Sequence, residues 1–137
     1  MSYPKVYLYR RIVQAKLFID SHYQESLDLE AIADEAFFSK FHFIRLFKDS
    51  YGKTPYQYLT YVRIEKAKGL LKNAMPVAIV CYEVGFDSVS SFTGLFKRIV
   101  GQTPSAFQHQ SLQRKAEISV MPLRFIPHCF AEAKAVE

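Results

Sequence analysis

The sequence predicts an all-α fold, two matched helical modules joined by a long helix, and two observations carry that expectation. The stretch from Phe43 to Tyr58 recurs 49 residues later, from Phe92 to Phe107. Phe43, Leu46, Phe47, Lys48, Gly52, Thr54 and Pro55 are matched identically by Phe92, Leu95, Phe96, Lys97, Gly101, Thr103 and Pro104. Within each copy the apolar residues follow the three-and-four spacing of one helical face, so each copy begins as a helix packed through aromatics. A glycine then stops it and Thr-Pro starts the next. Threonine accepts hydrogen bonds from the orphan N–H groups of a helix start, and proline in the first turn has no N–H to lose.

Taken in order, Leu8, Ile12, Ala15 and Ile19 form a stripe that predicts a first helix ending near His22 and Tyr23. The acid-rich segment from Asp28 to Ala36, apolar at Leu29, Ile32 and Ala33, predicts a short second helix capped by Asp28 or Ser26, and Ser39 offers a fresh cap for a third. Short helix, brief turn, helix is the helix-turn-helix order. It recurs as Pro76 to Val84, a turn at Gly85 where positive φ is easily adopted, and a helix capped by Asp87 or Ser88 that runs to Val100. Between the modules, Thr54 to Asn73 reads as one helix, with a capping box at Thr54 and Gln57 and a buried stripe of Ile64, Ala67, Leu70 and Leu71. The expected organisation is a first helix-turn-helix subdomain over residues 1–53, a linker helix over 54–73, a second subdomain over 74–110 and a short extension over 111–137. In that extension, alternation around Ile118, Val120, Leu123, Phe125 and Ile126 suggests a strand or apolar strap. At about 1.5 Å per residue the linker is roughly 30 Å long. That is close to the roughly 34 Å between successive major grooves on one side of a duplex.

Half of the 137 residues are apolar, which is enough for a real core. The net charge of +5 is unevenly placed. Six of the thirteen acids, Asp20, Glu25, Asp28, Glu30, Asp34 and Glu35, lie in one early stretch, whereas residues 88–116 contain none. Between Lys40 and Lys72 there are eight basic residues against two acids, Asp49 and Glu65. Such a basic region around repeated helices is the footprint expected of phosphate contact. Only two cysteines occur, and no signal-peptide pattern or long apolar run appears, so a reduced cytoplasmic protein without a membrane segment is expected.

The strings from Ser39 to Lys48 and from Val84-Gly85-Phe86 through Phe92, Phe96-Lys97, Gly101 and Thr103-Pro104 resemble the DNA-binding domain of the AraC/XylS transcription regulators over about residues 8–109. The resemblance implies two homeodomain-like helical modules. It further implies binding as a monomer to an asymmetric site on double-stranded promoter DNA and contact with RNA polymerase. A place at the bacterial nucleoid and no cofactor or metal are expected as well. Carried over residue by residue, base reading in the first module falls to Lys40, Phe41, Ile44 and Arg45, with His42 near the backbone. Arginine can grip guanine O6 and N7 bidentately, and Phe41, off the stripe of Phe43 and Phe47, suits thymine methyls. In the second module the outward positions are Val89, Ser90, Ser91, Thr93 and Gly94, of which Val89, Ser90 and Thr93 are assigned to bases and Ser91 to phosphate. Gly94 stands where Arg45 stands in the first copy, so no long donor remains there. The second module is therefore expected to read weakly, through hydroxyls and shape. Phosphate contacts are assigned to His42, Lys48, Lys53, Thr54 and Arg63 on one side and Lys97, Arg98 and Thr103 on the other. Lys66, Lys68 and Lys72 are expected to be ordinary solvated lysines, and the early acids a polymerase-facing surface.

Catalysis is not expected. His22, His42, His109 and His128 lack ligand spacing, and no nucleophile–base set or phosphate-binding glycine loop occurs. Cys81 stands where the family usually has alanine and is expected to be buried. Ile126-Pro127-His128-Cys129-Phe130 resembles the Pro-Cys-His site of DNA alkyl-acceptor proteins, but with His and Cys in reversed order and no surrounding domain to depress the thiol pKa. The alternatives to a stand-alone activator are the DNA-binding fragment of a longer effector-sensing regulator, an adaptor that binds protein, and, remotely, an alkyl acceptor at Cys129.

Overall fold

The structure, a computed structural model that describes residues 5–35 and 39–120, contains seven helices and no strand among those residues. The first module is α1 (Lys5–His22), α2 (Leu29–Glu35) and α3 (Lys40–Tyr51), and the linker is α4 (Pro55–Lys72). The second is α5 (Val77–Glu83), α6 (Val89–Val100) and α7 (Pro104–Val120).

The duplication is reproduced at the helix ends. Ser39 Oγ accepts the His42 N–H at the start of α3, as Ser88 Oγ accepts the Ser91 N–H at the start of α6. At the other end Gly52 and Gly101 adopt φ of 74° and 95° and donate their N–H groups to the Lys48 and Lys97 carbonyls. Thr54 and Gln57 form the expected capping box of α4. Asp28 Oδ1 accepts the Glu30 and Ala31 N–H groups at the start of α2, whose expected last residue, Ala36, lies outside the described residues.

Each module has its own core. Ile12, Ala15, Ile19, Leu29, Ala33, Phe43, Phe47 and Leu59 form the first, and Ile64, Ala67, Leu71, Val80, Cys81, Val84, Phe92 and Phe96 the second. The linker helix thus gives Leu59 to one core and three residues of its later turns to the other. Tyr23, just after α1, packs against both. Cys81 is fully buried, as expected, and burial pushes its thiol up from the ordinary value. No helix among the described residues is long and apolar enough to cross a membrane.

One expectation fails at the end of the second module. Ile118 and Val120, read as part of a strand or an apolar strap, belong instead to α7, which runs past the boundary expected at residue 110. Two alternating positions are too few to outweigh the run of good helix formers, Gln, Leu, Arg, Lys, Ala and Glu, that precedes them. Leu123, Phe125 and Ile126 lie outside the described residues.

The linker is tied to α1 by a polar contact as well. The Tyr58 hydroxyl donates to Asp20 Oδ1, and Lys16 Nζ lies 2.7 Å from Asp20 Oδ2. Burial, reinforced by the hydrogen bond to the Asp20 carboxylate, pushes the Tyr58 hydroxyl up from 10.0 to about 12. The folded value lies above the unfolded one, so the contribution is complete below about pH 10 and is lost as pH rises towards 12. Tyr58→Phe is expected to cost about 1–2 kcal/mol, the scale of a partly exposed bond to a charged acceptor. The gap between wild-type and variant denaturation midpoints should hold at neutral pH and close above pH 10; a gap that stays open would contradict it.

Candidate nucleic-acid interface

The outer faces of α3 and α6 follow directly from their buried faces. Phe43 and Phe47 point into the first core and Phe92 and Phe96 into the second, leaving the opposite face of each helix for solvent. On α3 this exposes Phe41, at 78% of its surface, together with His42, Arg45 and Lys48. Packing does not account for this exposure, although single exposed apolar residues are common on protein surfaces. Arg45 is exposed and makes no ion pair with the described residues. Lys40 is exposed too, but its Nζ lies 2.7 Å from Glu30 Oε1. An ion pair in open solvent is weak and yields readily to a phosphate or a base edge.

Two expected reading residues sit elsewhere. Ile44 and Val89 are half-buried and pack against the first and second cores. Each lies three residues before a core aromatic, Phe47 and Phe92, and that spacing returns it to the buried face. Ser90, Ser91 and Gly94 are exposed on α6 and Thr93 is half-buried. The Ser91 hydroxyl accepts from Ser88 Oγ at 2.9 Å, so it belongs partly to the cap. Nothing lies within 4 Å of where a Cβ on Gly94 would stand. At its far end α6 presents Lys97 and Arg98, both exposed.

The expected phosphate residues divide. Lys53 from the first module and Arg98 from the second line one groove of about 530 Å³ between α4 and α6, with Tyr56, Thr60 and Tyr61 along its wall. Lys53 Nζ stands 4.8 Å from the Tyr61 ring centroid. Thr54 and Thr103 are half-buried and use their hydroxyl oxygens as caps, accepting from the Gln57 and Ala106 N–H groups. The groove adds three residues that were not singled out from sequence. Their signal in the sequence is a set of tyrosine and threonine hydroxyls flanked by Lys53 and Arg63, on a stretch that also reads as a linker helix.

Arg63 departs most from expectation. Its Nε donates to the Tyr23 carbonyl at 2.7 Å and an Nη to the Glu25 carbonyl at 2.8 Å. Burial pushes the guanidinium down from its ordinary value, opposed by Asp87 and Tyr56. The group is turned into the protein and spent on backbone carbonyls rather than offered to phosphate. Among the described residues no cluster of His, Cys, Asp or Glu could hold a metal ion. Cys129 and His128 lie outside the described residues.

A family model described as a helix-turn-helix domain matches residues 32–110. The MmsAB operon regulatory protein of Pseudomonas aeruginosa is 35% identical over 97 residues, covering 70% of this chain and 32% of that protein. The bifunctional transcriptional activator/DNA repair enzyme AdaA of Bacillus subtilis is 35% identical over 95 residues, covering 69% of this chain and 45% of that protein. The chain therefore spans a third to under half the length of these curated relatives. Among solved structures, the DNA-binding domain of the global transcriptional factor AdpA, determined in complex with a target DNA, superposes with a TM-score of 0.72 at 28% identity. That match covers 77% of this chain and 96% of the AdpA domain. Paired helix-turn-helix units, the matched residues and the shared architecture agree: the chain belongs to the AraC family of transcriptional regulators.

Proposed function

We propose that this chain binds double-stranded promoter DNA as a monomer, placing α3 and α6 in successive major grooves, and thereby regulates transcription as an activator that contacts RNA polymerase. The observation that carries the reading is the pairing of two equivalent helices, one exposing Phe41 and Arg45 and the other Lys97 and Arg98, across one unbroken helix. That helix has 18 residues, about 27 Å at 1.5 Å each. Base reading rests on Phe41 and Arg45, with Lys40 released from Glu30, and on Ser90 and Thr93. Phosphate contact rests on His42, Lys48, Lys53, Ser91, Lys97 and Arg98, with Thr54 and Thr103 at helix starts. Tyr56, Thr60 and Tyr61 join Lys53 and Arg98 along the groove between the modules. The protein acts on DNA in the cytoplasm, at the nucleoid, and performs no catalysis; no role is assigned to Cys129.

Selection of bound duplexes from a random pool tests the reading and returns the site. On that site Arg45→Ala is expected to cost about 1–3 kcal/mol and to blur one half, with little effect on random duplex. Lys97→Ala should weaken both alike and reduce the salt slope by about one. Equal losses on selected and random DNA for Arg45→Ala would remove base reading from that residue. An affinity indifferent to salt would favour a protein-binding adaptor instead, because phosphate neutralisation releases counterions and must depend on salt.

A second reading has one observation behind it. The relatives are two to three times longer than the matched region, which favours these residues as the DNA-binding part of an effector-sensing regulator.

A further inference from the structure

Between the two modules, the turn after α1 meets the turn after α5 above the middle of the linker helix, and Arg63 lies at the meeting point. Its two hydrogen bonds go to carbonyls of the first module, Tyr23 and Glu25. Its Cζ also lies 5.7 Å from the ring centroid of Phe86 in the second module. The approach of the two turns is close enough to require glycine. A Cβ on Gly85, where φ is +101°, would stand 2.7 Å from the Tyr23 carbonyl oxygen and 3.0 Å from Arg63 Nε. Tyr23 itself packs against both cores, and Lys66 Nζ lies 5.8 Å from its ring.

From this we infer that Arg63 is a positioning residue: it latches the two helix-turn-helix modules in one relative orientation and so sets the half-site spacing that the protein accepts. The inference rests on the two-headed reading of DNA. The latch itself, however, is a property of the free protein. The physical basis is the planar guanidinium, whose fixed fork engages two carbonyls at once while its face meets an aromatic ring. Lysine keeps the charge but has neither the fork nor the face. Two heads held in register gain from each other's binding, and that gain falls when their relative placement loosens.

The test uses the full chain with Cys129→Ser and spin labels at the exposed positions Gln14→Cys in α1 and Ser105→Cys in α7, Cys81 being buried. Wild type should give a narrow distribution of distances between labels, and both Arg63→Ala and Arg63→Lys a broad one at unchanged helix content. An unchanged width in Arg63→Lys overturns the latch, whatever the DNA result. On the duplex recovered by selection, both variants should lose about 10-fold or more in affinity for the two-half site. They should keep wild-type affinity for an isolated half-site and discriminate less against spacers altered by one base pair. Restoration of full affinity by Arg63→Lys, or equal losses on whole and half sites, would instead make Arg63 a phosphate contact and overturn the inference. If wild type binds no duplex at all, the reading of DNA fails while the distance measurement still decides the latch.

Discussion

Phe96→Ala is expected to remove about 3–5 kcal/mol of stability, the usual cost of emptying an aromatic site in a packed core. Phe96 is fully buried, with the Phe92 ring centroid 5.7 Å away on one side and Phe107 5.5 Å away on the other. Against a total of roughly 5–15 kcal/mol for a domain, that loss is a large share. It should not be spread evenly, because Phe96 belongs to the second core alone. Hydrogen exchange should quicken in α5, α6, α7 and the later turns of α4, while amides around Phe43 and Phe47 keep their protection. Equal acceleration in both modules would show instead that the shared helix makes them one cooperative unit.

Gly85→Ala is expected to have the second largest effect, although it adds a single methyl group. The backbone conformation alone costs an alanine about 1–3 kcal/mol. The new carbon must also push away the Tyr23 carbonyl oxygen, a backbone atom that cannot swing aside, and it meets Arg63 Nε as well. Gly52→Ala supplies the comparison. Gly52 has φ of +74° but nothing within 4 Å of the added carbon, so only the conformational cost applies there. The difference between the two denaturation midpoints isolates the contact between modules. Equal losses in the two variants would mean that the turns separate at no cost.

Much of this architecture was legible in the chain because its signals are local. The Thr54-Pro55 and Thr103-Pro104 starts, the Ser39 and Ser88 caps and the Gly52 and Gly101 stops each depend on atoms within a few residues. The aromatic stripes were equally readable, since helical spacing alone decides that Phe43 and Phe47 share a face. Side chains at the border of that face were not. Ile44 and Val89 are reading residues by resemblance and packing residues by geometry, and three-residue spacing to Phe47 and Phe92 was the cue that outweighed it. Arg63 was out of reach for a different reason. Its partners stand 40 and 38 residues earlier in the chain, and a basic residue on a helix in a basic region gives no sign that two backbone carbonyls will claim it. The Tyr58–Asp20 contact is hidden in the same way, and the groove shared by Lys53 and Arg98 exists only once the two modules are placed side by side.

Gly94 is a point where the duplicated halves are chemically unequal yet structurally interchangeable. An exposed glycine in mid-helix gives up about 1 kcal/mol relative to alanine, and no neighbour crowds it into being glycine. No contact therefore specifies the occupant of that position, and helix propensity favours replacing the glycine rather than keeping it. On the proposed reading of DNA, a side chain introduced at Gly94 would alter the selectivity of the second head without disturbing the scaffold, so the two heads could acquire separate preferences on a common frame.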